Sequence, residues 1–155
     1  MDLETATGRT VESLRRRGKY LIGGLDDERE LVMHLGMTGS FRFRGGPDGW
    51  VPDAYVRATF HLDDGVMDYR DVRRFGRLSV VDAGSYRSIP TLQMLGPEPL
   101  SEDFDPDRFH ADLARSRAPV KVALLGQRLV AGVGNIYADE ALWRARISPH
   151  ARRVG

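Results

Sequence analysis

Residues 127–149 read QRLVAGVGNIYADEALWRARISP. The stretch holds the end of one helix, a tight apolar turn from Leu129 to Gly134, and a second helix from about Asn135 to Ala145. Gly132 and Gly134 accept backbone angles that other residues resist, and Asn135 suits a helix N-cap. The free N–H groups of the turn and of the helix start then point outward together, which makes an anion site suited to phosphate. An ordinary helical corner with glycines for close packing fits the same spacing equally well. A dinucleotide-binding fingerprint does not, because Tyr137 stands where the third glycine belongs and no strand clearly precedes the turn.

Working outward, the helical pattern continues towards the N-terminal side. Asp105 can cap a helix with Pro106 in its first position, and Phe109 and Leu113 share a face of it at i,i+4 spacing. A further helix begins near Pro119 and carries Val122 and Leu125, and the Asn135 helix carries Ile136, Leu142 and Trp143. An acidic, proline-bearing connector, LGPEPLSEDFDP, precedes them.

Before about residue 87 the periodicity is that of strands. YLIGGL, from Tyr20 to Leu25, follows the basic run VESLRRRGK, and Leu31 to Leu35 is a second strand. Phe41 and Phe43 alternate with Arg42 and Arg44. After a loop at Gly45 to Pro52, Val56, Ala58, Phe60 and Leu62 alternate with polar residues up to an Asp63-Asp64-Gly65 hairpin turn. Val66 to Tyr69 returns, and Leu78 to Val81 closes the sheet. Residues 1–10 give no element. The expected fold class is therefore α+β: a β-rich half over residues 1–87 and an α-helical half over residues 88–155.

Two turns stand out. GMTG, Gly36 to Gly39, places Met37 at a loop tip between strands, where an apolar side chain gains little from folding. Proteins that open DNA insert such wedges between bases; folding back onto the sheet is the alternative. YRDVRRFGRL, Tyr69 to Leu78, sets Phe75 among Arg70, Arg73, Arg74 and Arg77. That combination suits base stacking with phosphate contacts, and a basic edge strand with Phe75 in the core fits as well.

With 155 residues, 41% hydrophobic and 29% charged, the chain suits one ordinary soluble domain or two small ones. No apolar run approaches membrane-spanning length and MDLETATGRT has no apolar signal core, so a cytoplasmic location and no membrane partner are expected. Zero cysteines exclude disulfides and thiolate zinc sites, and the four histidines lie far apart, so no metal or other cofactor is expected in this chain. The net charge of +1 is a weak footprint for a nucleic-acid partner, but its distribution is uneven. Residues 98–112 carry six acidic side chains and one basic, whereas residues 113–155 carry eight basic against Asp139 and Glu140. A basic face beside the turn is what a DNA footprint needs. Positive charge is written as arginine throughout except at Lys19 and Lys121. Arginine is effectively never deprotonated, so a retained lysine hints at a titratable amine.

The blocks RRRGKYL, MHLGMTG, RRFGRL, LGPEPLS and LVAGVGNIYADEAL, in that order, resemble the formamidopyrimidine-DNA glycosylase family, whose members excise oxidised purines. The resemblance covers nearly the whole chain from Gly8 onward. It implies an incomplete β-sandwich followed by a helix–two-turn–helix domain. It also implies a double-stranded DNA partner containing oxidised purines (8-oxoguanine, formamidopyrimidines) or abasic sites, and a monomer. Such enzymes flip the damaged nucleotide out of the stack. By resemblance Met37, Arg73 and Phe75 fill the gap, with Arg73 bonding the orphaned base. Lys19 matches a strand-borne catalytic lysine implicated in proton transfer, and His34 a histidine beside the site. Asn135 with the Gly134 backbone, Lys121 and Arg117 match contacts to the DNA backbone.

Three departures from the family pattern bear on activity. The family's opening Pro-Glu-Leu-Pro-Glu, which supplies the nucleophilic amine and the acid/base carboxylate, is not found, since Asp2 follows Met1. The four-cysteine finger that carries a structural zinc is not found either. Asp53 stands where relatives often carry a DNA-contacting histidine. The chain therefore reads as an interior piece of a bifunctional glycosylase and AP lyase, and its own chemistry is expected to be lost. A non-catalytic DNA-binding module is the alternative, and a stand-alone helix–two-turn–helix module for RNA or protein is opposed by the β-half blocks. A sandwich lacking its first segments exposes strand edges, so we expect poor solubility of the isolated chain; a cooperative thermal transition in a monomeric sample would contradict it.

Overall fold

A computed structural model describes residues 2–45 and 53–152. The chain forms two compact units, one comprising residues 1–15 and 20–84 and the other residues 16–19 and 85–155.

The first unit is built of antiparallel sheets. After a 3-10 turn, Leu3–Ala6, come strands β1 (Val11–Arg17), β2 (Tyr20–Leu25), β3 (Arg29–His34), β4 (Ser40–Arg44), β5 (Val56–Leu62), β6 (Gly65–Arg70) and β7 (Arg77–Asp82). They make one sheet in the order β1-β2-β3-β7 and a second in the order β4-β6-β5. Register follows from alternation. On β3, Leu31 and Met33 face one way and meet Val80 and Leu25 in a buried cluster, against which Phe41 of β4 and Phe60 of β5 pack. Shifting β3 by one residue would turn both core side chains to the wrong face. Phe41 also meets Tyr69 at 5.3 Å between ring centroids. The basic run before YLIGGL is itself a strand: β1 is almost wholly exposed, and its polar residues sit on a sheet edge. Most of the loop expected at Gly45 to Pro52, residues 46–52, lies outside the described residues.

The second unit holds helices α1 (Pro90–Gln93), α2 (Pro106–Arg115), α3 (Val120–Leu125) and α4 (Asn135–Ala145). Asp105 caps α2, its side chain accepting from the N–H groups of Asp107 at 2.9 Å and Arg108 at 3.2 Å, and Pro106 begins the helix. Leu113, Val120, Leu124, Val130, Ala138 and Leu142 form the core.

Three expectations about the helices are corrected. On α3 the buried pair is Val120 and Leu124, while Val122 is exposed and Leu125 only partly buried. On α4, Ile136 and Trp143 point to solvent, 78% and 79% exposed, and the buried pair is Ala138 and Leu142. An i,i+4 pair falls on one face whatever its composition, and on α4 the smaller residues occupy the crowded one. Finally, Asn135 is the first residue of α4 and the N-cap is Gly134, with no side-chain capping bond.

These faces set the stability contrasts. Leu142→Ala should cost about 2–5 kcal/mol through lost burial and a residual cavity. Trp143→Ala, despite deleting a larger side chain, should stay within about 0.5 kcal/mol. Urea unfolding midpoints of the two variants check this.

Candidate nucleic-acid interface

In the β-rich unit two loops carry the candidate residues. Gly36 at φ +66° turns the chain after β3 and leaves Met37 at the tip, 71% exposed. The loop between β6 and β7 presents Arg73 and Phe75, the latter 53% exposed. The Arg73 guanidinium lies over the Phe75 ring at 4.6 Å and its Nη1 donates to Met37 Sδ at 3.3 Å. Three side chains from two loops thus form one exposed cluster with an apolar flank on each side of a planar cation. His34, at the end of β3, is half-buried; its Nδ1 accepts the Gly36 N–H at 3.1 Å, and its ring packs on Tyr20 at 4.9 Å. It steers the loop entry and stays beside the strand.

Behind the cluster is Asp71, a residue that no sequence motif singles out. It is 1% exposed. Its Oδ1 accepts from the Thr38 hydroxyl at 2.5 Å and the Arg73 N–H at 3.2 Å, and its Oδ2 from the Gly76 N–H at 2.8 Å and the Tyr69 hydroxyl at 3.3 Å. The Thr38 and Gly76 bonds outweigh desolvation and bring its pKa from the ordinary 3.8 down to about 2. Burial and the same carboxylate raise the pKa of Tyr69. Asp53 is also structural: it accepts the Tyr55 N–H at 2.8 Å and pairs with Arg70, and both interactions lower its pKa.

The helical unit holds the remaining candidates. Residues 16–19 are fixed there by Glu98, the acidic member of LGPEP. Its carboxylate accepts from the Gly18 N–H at 2.5 Å and from Arg16 and Arg17, each at 3.2 Å. Burial would raise its pKa, but those three donors win and lower it. Gly18, at φ +56°, holds a left-handed backbone that other residues resist, and a Cβ there would have to displace the end of the Leu95 side chain, 2.9 Å away. This seat delivers Lys19, whose Nζ donates to the Val133 carbonyl at 3.1 Å. Desolvation lowers its pKa, in the direction of a freer amine.

The turn before α4 divides differently from the expectation. Only Gly132 takes a positive φ, +78°; Gly134 is extended, at φ −115° and ψ −175°. What Gly134 provides is space, since a Cβ there would come within 2.9 Å of Lys19 Nζ. The N–H groups of Ala131 and Gly132 are taken by the Pro97 carbonyl and the Gln127 side chain, so the turn itself offers no outward donors at those two positions. The first helical bond, from Ala138 to Gly134, leaves the N–H groups of Asn135, Ile136 and Tyr137 without helical acceptors. Asn135 is exposed beside them. Lys121 is held by Asp139 at 2.6 Å, so part of its charge is compensated. Arg117 lies in an open concavity of about 520 Å³ with Arg115 and Arg152.

Gly134→Ala should leave stability nearly unchanged, because alanine tolerates that φ, yet displace the Lys19 amine from Val133; unfolding curves and Nζ chemical shifts read the two effects. Because the pKa of Asp71 is depressed, its contribution is present above the ordinary carboxylate pKa and lost as pH falls from about 4 towards 2. The stability gap between wild type and Asp71→Asn should therefore shrink over that window in urea titrations at successive pH values.

The sequence blocks and the α+β fold agree with the comparisons to known proteins. The family model for the formamidopyrimidine-DNA glycosylase N-terminal domain matches residues 2–78, and that for the formamidopyrimidine-DNA glycosylase H2TH domain matches residues 95–154. The formamidopyrimidine-DNA glycosylase of Thermus thermophilus is 51% identical over 144 residues, covering 93% of this chain and 51% of the relative. The crystal structure of MutM (Fpg) from that organism superposes with a TM-score of 0.84 at 50% identity, over 94% of this chain and 52% of that one. The Lactococcus lactis Fpg (MutM), solved in complex with DNA containing FAPY-dG, gives a TM-score of 0.85 at 38% identity, over 96% and 56% of the two chains. The chain thus spans about half the length of the relatives it matches. With both family domains matched in order across an α+β fold, the chain belongs to the formamidopyrimidine-DNA glycosylase family.

Proposed function

We propose that the protein represented by this sequence repairs DNA by base excision, removing oxidised purines from the duplex and cleaving the resulting abasic site. The observation that carries the reading is the exposed Met37–Arg73–Phe75 cluster. Unstacking a nucleotide costs a few kcal/mol. Burying a Met or Phe side chain returns about 1.5–3 kcal/mol, so two of them suffice in magnitude to hold the gap open. Arg73 between them offers a planar set of donors to the orphaned base. The three N–H groups at the start of α4, with Asn135, suit a phosphate beside the lesion. Arg117 and Lys121 add backbone contacts, and His34 lines the approach.

Lys19 is assigned to proton transfer near the reacting sugar. The family's reaction is amine attack at the sugar C1′, which breaks the bond to the base, forms an imine and permits elimination of the flanking phosphates. In this family that amine belongs to the N-terminal proline, and within this sequence Lys19 is the candidate amine. The partner is double-stranded DNA bearing an oxidised purine or an abasic site, bound by a monomer in the cytoplasm, with no metal taken up by this chain.

The test is binding and borohydride trapping on duplexes containing 8-oxoguanine or an abasic site. We expect the chain to prefer the abasic-site duplex over an undamaged one, and Arg73→Ala to reduce that preference about tenfold. An adduct lost in Lys19→Ala assigns the amine. Lesion preference without an adduct identifies the chain as a binding module, and absence of lesion preference overturns the reading.

A further inference from the structure

Asp71 stands between two separate strand connections. Residues 35–39 join β3 to β4, and residues 71–76 join β6 to β7. One oxygen of Asp71 takes the Thr38 hydroxyl from the first loop and the Arg73 N–H from the second; the other takes the Gly76 N–H. A single carboxylate therefore ties Thr38, the neighbour of Met37, to the backbone of Arg73 and to Gly76, the residue after Phe75. Thr38 adds a second tie, because its hydroxyl also accepts the Arg73 N–H at 3.1 Å.

The backbone is closed along the same seam. A Cβ at Gly36 would meet Phe75 C and Gly76 N, each at 2.7 Å. One at Gly39 would meet the Tyr69 hydroxyl at 2.8 Å, and one at Gly76 would overlap that same hydroxyl. Tyr69 is thereby wedged between the loops with its hydroxyl on Asp71.

Within the second loop Arg74 has a φ of +56°, a left-handed conformation that non-glycine residues resist. It is this turn that brings Arg73 and Phe75 side by side. Asp71 accepts from the N–H groups of Arg73 and Gly76, on either side of the strained segment, so the carboxylate holds the geometry that the Arg74 backbone would otherwise relax. The Arg73 guanidinium is left uncommitted: among the described residues no carboxylate pairs with it, and its contacts are with Met37 Sδ and the Phe75 ring.

We propose that Asp71 is a positioning residue that locks Met37, Arg73 and Phe75 into one preassembled unit for entry into a gap in the DNA stack. The inference rests on the function proposed above. A buried charge is a poor device for stability alone, since well-packed apolar residues serve as well or better. Its use here is directional, because backbone N–H groups aimed at one point define a loop conformation. Side chains ordered in advance do not have to be ordered on binding, which is where preorganisation raises affinity.

The experiment titrates the whole chain against an abasic-site duplex carrying 2-aminopurine opposite the gap, and against an undamaged duplex of the same sequence. Asp71→Asn keeps the shape but turns one acceptor into a donor facing backbone N–H groups. It should lower the preference for the abasic duplex about tenfold and quench the 2-aminopurine response, while binding to undamaged duplex stays as in wild type. Thr38→Val should do the same to a smaller degree and Thr38→Ser should restore the wild-type response. Asp71→Asn that retains the preference and the fluorescence response overturns the inference, as does a variant that loses both duplexes equally. A wild-type chain without lesion preference overturns instead the function on which the inference stands. Should Asp71→Asn show no cooperative unfolding, the Thr38→Val and Thr38→Ser pair decides by the same criteria.

Discussion

The Asp71 carboxylate is almost wholly out of water, and four donors from two loops and a strand make that tolerable. Remove the donors and the charge has no place there; remove the charge and the Thr38 hydroxyl, the Gly76 N–H and the Tyr69 hydroxyl lose an acceptor, while the Arg73 N–H keeps only its bond to Thr38. The loops that display Met37, Arg73 and Phe75 are shaped by this mutual requirement more than by any apolar contact of their own. Glu98 works in the same manner in the helical unit, gathering the Gly18 N–H and two guanidinium groups so that the segment ending in Lys19 has one conformation. In both places a carboxylate fixes the backbone of a neighbouring segment by collecting its donors.

Arginine serves two purposes in this chain. Several guanidinium groups are paired within the protein, as in Arg15 with Glu30, Arg44 with Asp68 and Arg70 with Asp53. Others, Arg73 among them, have no carboxylate partner among the described residues. Net charge mixes the two populations, so a value of +1 does not report how many guanidinium groups lack an internal partner. The lysines divide similarly: Lys121 is paired with Asp139, while Lys19 rests on a carbonyl and is desolvated.

The GVGN turn shows how glycines of one motif do unlike work. Gly132 takes a left-handed backbone angle, whereas at Gly134 a Cβ would crowd the Lys19 amine, which arrives from the far end of the chain. A spacing pattern records that both are glycine and not which reason applies.

Several features were legible in the sequence. Alternation at Val56–Leu62 and at Phe41–Phe43 identified strands, the Asp105–Pro106 pair a helix start, and the ordered blocks the family. These depend on neighbours a few residues apart, where a sequence carries its own geometry. The loop-tip position of Met37 was readable for the same reason. Which of Val120, Val122, Leu124 and Leu125 turns inward was not, because two apolar faces of one helix differ only in what packs against them. The hydrogen-bond partners of Asp71 and Glu98 were likewise out of reach. A buried carboxylate and a solvated one are the same letter, and only the tertiary structure brings donors from residues 38, 73 and 76 to one point, or carries Glu98 to Gly18, eighty residues away in the chain.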